Sequence, residues 1–115
     1  MVYAFSISTP ANTAVTSKKR SVLRLELGVI TSLEINFPPG SSGLLSVQIL
    51  RENSQIFPKS VGDFHGDDRT FRFTRLAFPV LFDPFELYSH TWNTDDTFAH
   101  VADIYIVIEP VGAII

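Results

Sequence analysis

The sequence predicts an all-β fold: a single antiparallel β-sandwich, or jelly-roll-like domain, of seven or eight short strands over residues 1–115. Three observations predict it. Apolar and polar residues alternate with a period of two along much of the chain, and the helical period of about 3.6 is nearly absent. Clusters of Gly, Pro, Ser, Asn and Asp interrupt the alternation at intervals of roughly ten residues. The chain also holds ten Phe residues, whose rings suit the gap of about 10 Å between two packed sheets.

The elements follow in order. Tyr3, Phe5 and Ile7 alternate with Ala4, Ser6 and Ser8, which predicts a half-buried first strand. Residues 9–20 are rich in turn formers and polar side chains and read as a loop, so residues 1–20 form an N-terminal strand and loop. Leu23, Leu25 and Leu27 then alternate with Arg24 and Glu26, and after Gly28 the pattern resumes with Leu33, Ile35 and Phe37. Gly28 is either a tight turn between two strands or a bulge in one bent strand. The run from Pro38 to Gly43 ends that strand, because proline lacks a backbone donor and glycine accepts positive φ. From Leu44 to Arg51 the residues Leu45, Val47 and Ile49 share one face, and Glu52-Asn53-Ser54 turns into a short strand from Gln55 to Phe57. Residues 58–68 read as a second polar loop, and Phe71 and Phe73 mark a further strand. Residues 76–84, broken by Pro79 and Pro84, read as an irregular connection with one edge segment. Phe85 to Trp92 and Val101 to Glu109 are the last strands, and Asn93 to His100 is the loop between them. Val111 to Ile115 form an apolar C-terminal tail.

Composition narrows the functions. The net charge of −3 argues against nucleic acid as a partner, since phosphate binding needs a clustered positive surface and Lys18-Lys19-Arg20 is too short to supply one. No run approaches the ~18 apolar residues of a membrane span. Met1 to Phe5 reads as a strand start and lacks the basic and apolar regions of a signal peptide. Without cysteine there is no disulfide framework, Cys-based zinc site or thiol nucleophile. No Gly-x-Ser-x-Gly elbow or phosphate-cradling loop occurs, so no cofactor and no enzymatic activity are expected.

Four features can carry chemistry. The loop Asp63-Phe64-His65-Gly66-Asp67-Asp68 offers Asp63, Asp67 and Asp68 as hard oxygen ligands for a weak calcium site, against the plainer role of Asx turn chemistry. The run Asn93-Thr94-Asp95-Asp96-Thr97 with His100 emerges at the same end if strands alternate in direction. Its carboxylates then converge with the first loop, for acid–base work or simply to order a turn. On the 85–92 strand, Glu86, Tyr88, His90 and Trp92 share one parity and Phe85 and Leu87 the other. With the second parity in the core, Tyr88 and Trp92 face outward as a protein contact, or as a sugar-stacking surface. The tail, with Val111, Ile114 and Ile115, either folds back on the core or docks on a partner.

Three phrases in order carry a resemblance: Gly28-Val29-Ile30 with Ile35-Asn36-Phe37-Pro38-Pro39-Gly40 and Gly43-Leu44-Leu45; Gly66-Asp67-Asp68 before Thr70-Phe71; and Trp92-Asn93-Thr94-Asp95-Asp96-Thr97-Phe98. Over residues 28–108 the chain resembles small all-β proteins encoded among the structural genes of tailed bacteriophages. That resemblance implies a non-enzymatic virion component, a capsid decoration or tail accessory protein assembled in the host cytoplasm. Its partners would be other virion proteins and copies of itself in a homo-oligomer, and no catalytic residue is transferred. The alternative is a carbohydrate-binding module that uses Tyr88, His90 and Trp92.

Overall fold

Alternating chains need a second apolar layer, and here the layer is a second sheet. The computed structural model describes residues 1–59 and 62–110. Its elements are β1 (Val2–Thr9), a 3-10 turn (Val15–Ser17), β2 (Lys19–Arg24), β3 (Gly28–Phe37), β4 (Leu45–Arg51), β5 (Ser54–Phe57), β6 (Phe64–His65), β7 (Arg69–Phe73), β8 (Phe78–Val80), β9 (Glu86–Asn93) and β10 (His100–Glu109). One sheet has the order β1-β10-β3-β7, with β8 also on β3. The other has the order β2-β9-β4-β5, with β6 also on β4. Every pairing is antiparallel.

The expected seven or eight strands become ten because two edge strands are interrupted. β5 and β6 pair with successive parts of β4, and β7 and β8 with successive parts of β3. Each pair lies along one line, so the ten segments occupy eight lines, four to a sheet, in jelly-roll order. Arg75, at φ 58°, marks the break between β7 and β8, where the Leu76 N–H donates to the Thr31 carbonyl at 2.9 Å. The two-residue β6 lies inside the stretch expected to be loop, and β8 is the expected edge segment.

The core lies between the sheets. Ile7, Leu23, Leu33, Ile35, Phe37, Leu45, Val47, Ile49, Leu87, Ile104 and Ile106 are buried there, which bears out the inward parity read for the first strand, β3 and β4. The rings do not fill the centre as expected. Phe37 and Phe64 are buried, but Phe5, Phe57, Phe71, Phe73, Phe78 and Phe85 are only partly covered and rim an aliphatic core. Rings of Phe64, Phe71 and Phe73 cluster with centroids 5.1 and 5.5 Å apart.

Two local expectations change. Lys19 and Arg20 belong to β2, and Leu25 and Leu27 lie beyond its end, where the chain crosses from one sheet to the other. Leu27 is exposed as a result. Gly28 is neither a turn nor the bulge: it heads β3, and the register shift falls opposite Val107 and Ile108, at Thr31. Glycine is needed at this position for space. A Cβ there would sit 2.4 Å from Ile108 Cγ2 and 2.6 Å from the Glu109 carbonyl oxygen.

Alternating strands sort the loops to two ends. Loops 10–18, 38–44, 66–68 and 94–99 share one, tied by main-chain bonds from Asn12 to Asp95 (2.8 Å) and from Thr94 to Leu44 (3.0 Å). The other holds Met1, the 25–27 crossover, the β4–β5 turn, residues 81–85 and Pro110.

Candidate functional site

The outward face of β9 has the expected parity and a different exposure. Tyr88, His90 and Trp92 point away from the core, while Leu87, Ser89, Thr91 and Asn93 point in. Trp92 is only 8% exposed, which corrects its reading as a presented ring. The Lys18 ammonium lies 4.9 Å from the Trp92 ring centroid and also bonds Gln48 Oε1 at 3.4 Å. Gln48 Nε2 in turn donates to the Gly62 carbonyl at 2.8 Å, so the segment before β2 and the chain after β5 both close over this face. Tyr88 is half-buried beneath the Arg20 guanidinium, 3.9 Å from its ring centroid. Its hydroxyl donates to Glu86 Oε1, and that carboxylate raises the phenol pKa above its ordinary value. Arg20 also reaches His90 Nε2 at 3.0 Å and donates to the Glu52 carbonyl at 2.8 Å. Burial first, then the charges of Arg20 and Lys18, push the His90 imidazole below its ordinary pKa. Sequence parity located these rings. The cations covering them come from residues 18 and 20, about seventy positions away in the chain but one strand away in the sheet.

At the end bearing loops 38–44, 66–68 and 94–99, the two acidic loops do emerge together. His100 is close enough to Asp67 to help lower its pKa, although the main cause is the Gly40 N–H. Gly40 and Ser42 N–H groups donate to Asp67 Oδ1 at 2.7 and 3.2 Å, closing a turn in which Gly40 (φ 118°) and Gly43 (φ 76°) are left-handed. Asp63 lies 2.7 Å from His65 Nδ1, and Asp68 takes a left-handed φ of 48°. Thus Asp63 and Asp67 engage separate partners, His65 and the 40–42 turn, rather than one ligand set. Among the described residues, no group of three or more His, Asp or Glu side chains is placed to hold a metal ion.

Asp95 organises the neighbouring loop. Its Oδ1 accepts the Thr97 and Phe98 N–H groups at 2.9 and 3.2 Å, and its Oδ2 lies 2.7 Å from His100 Nε2. The His100 bond is the main reason its pKa is held below the ordinary carboxylate range. Asn93, fully buried, donates to the carbonyls of Thr9 (3.2 Å) and Phe98 (2.9 Å) and accepts the Asp95 N–H (3.0 Å). Asp95 therefore serves as the Asx turn acceptor that the sequence suggests, whereas Asp67 closes the 40–43 turn from another loop rather than its own. Beside them lies a shallow pocket of about 260 Å³ lined by Asn12, Thr13, Ala14, Asn93 and Thr94.

The opposite end carries what sequence reading missed. Met1, Val2, Leu27, Leu81 and Phe82 are all exposed there, Phe82 to 74%. A cavity of about 290 Å³ opens between Met1, Glu26, Leu27, Ile108 and Pro110. The available signal was Leu81-Phe82 set between Pro79 and Pro84: two large apolar residues on a segment too broken to bury them in a strand. The tail residues Val111, Ile114 and Ile115 lie outside the described residues.

No family model matches the chain, and no curated protein matches it. Among solved structures, the chain is similar to the crystal structure of PirA, at 16% identity over 91% of this chain and 94% of PirA, with a TM-score of 0.47.

Proposed function

We propose that the chain is a non-enzymatic structural virion protein, a capsid decoration or tail accessory protein that acts through contacts with other virion proteins and with copies of itself. The observation that supports contact is the exposed apolar group Met1, Val2, Leu27, Leu81 and Phe82 at one end of the sandwich. Such side chains, gathered at one end, gain by leaving water against a partner. The virion setting rests on the resemblance of residues 28–108 to small bacteriophage structural proteins. The test is the solution mass by light scattering over a wide concentration range, for the full chain and for Phe82→Ser. A symmetric oligomer or concentration-dependent association, weakened by Phe82→Ser, supports the reading. A strict monomer, or association indifferent to Phe82→Ser, overturns it.

A second reading, carbohydrate binding, moves from the strand to the loops, because Trp92 is covered and Phe98 is 65% exposed beside Asp95 and Asp96. An exposed ring next to amide and carboxylate groups suits stacking on a sugar with hydrogen bonds to its hydroxyls. A glycan array on wild type and Phe98→Ala decides it: glycan binding lost in the variant supports it, and no binding by the wild type removes it.

A further inference from the structure

A sheet edge presents unpaired backbone groups, and folded proteins blunt such edges with charge, proline, bulges or short strands. The sandwich has four edges, and three are blunted in these ways. β2 carries Lys19, Arg20 and Arg24; the β5–β6 line is broken into four and two residues; the β7–β8 line is broken and carries Arg69, Arg72 and Pro79. The fourth edge, β1, is unbroken over eight residues, Val-Tyr-Ala-Phe-Ser-Ile-Ser-Thr, with no charge and no proline.

Its bonding direction follows from Met1 and Ile108, which exchange both main-chain bonds at 2.8 Å. Alternation along the antiparallel ladder then gives Tyr3, Phe5, Ile7 and Thr9 to β10. It turns the N–H and C=O groups of Val2, Ala4, Ser6 and Ser8 to the open edge. Among the described residues, the partner found on that edge is the Lys19 ammonium, which donates to the Ser8 carbonyl and covers only the far end. Behind the edge the Tyr3 and Phe5 rings stack with centroids 6.5 Å apart and stay half-buried.

We propose that β1 is a self-docking edge, pairing antiparallel with β1 of a second copy about a two-fold axis at Ala4. This deepens the assembly reading above and rests on it. In that register Ala4 meets Ala4, Val2 meets Ser6, and each pair exchanges two main-chain bonds, while the Ser8 carbonyl stays with Lys19. A second copy fits because the edge is its own complement: its outward main-chain groups satisfy one another, and none of the eight β1 side chains carries a charge. The two sheets become one continuous sheet, and the Tyr3 and Phe5 rings of both copies lie side by side beneath the new seam.

The test uses the full chain with Ala4→Lys and Ser6→Pro. Both positions turn their main-chain groups away from β10, so neither change removes an intrachain ladder bond. Circular dichroism and a cooperative melt establish folding. Sedimentation velocity gives the mass, and hydrogen exchange reads the Ala4 and Ser6 amides. The expected result is a wild-type dimer with both amides protected, although they have no partner among the described residues, and a dimer weakened at least about tenfold by Ala4→Lys, which sets two ammonium groups face to face. Should one variant fail to fold, the other variant and the wild-type amide exchange still decide. Fast exchange at Ala4 and Ser6 in a protein shown to be oligomeric, or a dimer unmoved by either folded variant, overturns the edge proposal alone. The assembly reading then stands if Phe82→Ser breaks the oligomer. A wild type that stays monomeric throughout overturns both.

Discussion

Truncating Asn93 to alanine removes a side chain that is 0% exposed and joins three parts of the chain. Its amide donates to the Thr9 carbonyl at the end of β1 and to the Phe98 carbonyl, and its oxygen accepts the Asp95 N–H. The bond to Thr9 is buried, while the other two are partly reached by water. The Thr9 carbonyl keeps its ladder bond from His100, so what is lost is three side-chain bonds, each contributing about 0.5–1.5 kcal/mol. The expected loss is therefore about 1.5–4.5 kcal/mol, a large share of the roughly 5–15 kcal/mol that holds a small domain together.

Urea unfolding followed by circular dichroism measures it, and an unchanged slope with a lowered midpoint marks a true stability change. Asn93→Asp separates hydrogen bonding from packing. The carboxylate keeps the shape but has no donor for the Thr9 and Phe98 carbonyls, so it should be at least as damaging as alanine at neutral pH. It should recover as acid protonates it and restores one donor. A loss under about 1 kcal/mol for Asn93→Ala, or an aspartate variant as stable as wild type at pH 7, refutes the reasoning.

The remaining expectations are shorter. Ser89 is buried and its hydroxyl has no partner among the described residues, so Ser89→Ala should raise stability by about 1 kcal/mol; a drop of that size in chemical denaturation would contradict this. Gly28→Ala drives a methyl into Ile108 and the Glu109 carbonyl and should cost about 1–3 kcal/mol, and a neutral result would mean that the end of β10 yields freely. His90 has its folded pKa below the unfolded value, so its contribution is present above about pH 6.5 and is lost as pH falls through the folded value. Thermal melts should therefore show His90→Gln losing less stability than wild type between neutral pH and pH 5, and parallel profiles would sink the assignment. Trp92 is the one tryptophan in the chain, so Lys18→Ala should shift its fluorescence to the red and admit quencher, whereas unchanged emission would mean that Lys18 does not cover it.

Legibility followed the contrast between faces. β1 and β3 show apolar residues on one parity and mostly polar ones on the other, because one side of each meets the core, and period-two reading found them; β10 was found as well, although Val101, Tyr105 and Val107 lie on its outward parity. The turn at Pro38 to Gly43 was plain from its prolines and glycines and the Asx loop after Asn93 from its own carboxylate, although the Asp67 side chain that closes the first turn comes from 27 residues further on. What stayed hidden is long-range. β6 is two residues long, and only its pairing with Ser46 and Val47 makes it a strand. Lys18 covers Trp92, and residues after β5 cover Gln48, so an outward parity did not mean an exposed side chain. Phenylalanine content suggested an aromatic centre, but the eight-line sandwich is filled by branched aliphatics and leaves rings to its rim.

β9 shows how this fold holds its register where hydrophobicity alone would mislead. Its outward parity carries Tyr88 and Trp92, and its inward parity carries Ser89, Thr91 and Asn93. By burial of apolar area alone, a one-residue slip would be favoured, turning both rings inward. The slip fails because two of the three inward polar groups are bonded in the observed register: Thr91 Oγ1 accepts from Thr9 Oγ1 at 2.8 Å across the two sheets, and Asn93 holds the end of β1, with Ser89 alone left unpaired among the described residues. The rings left outside are in turn covered by Lys18 and Arg20, cations placed there by the pairing of β2 with β9. Polar satisfaction thus fixes the central strand of one sheet from within, and the same logic runs outward to the edges. Where a strand line ends in charge or a break, pairing stops. Along β1 neither is present, and the ladder stands open to one more strand.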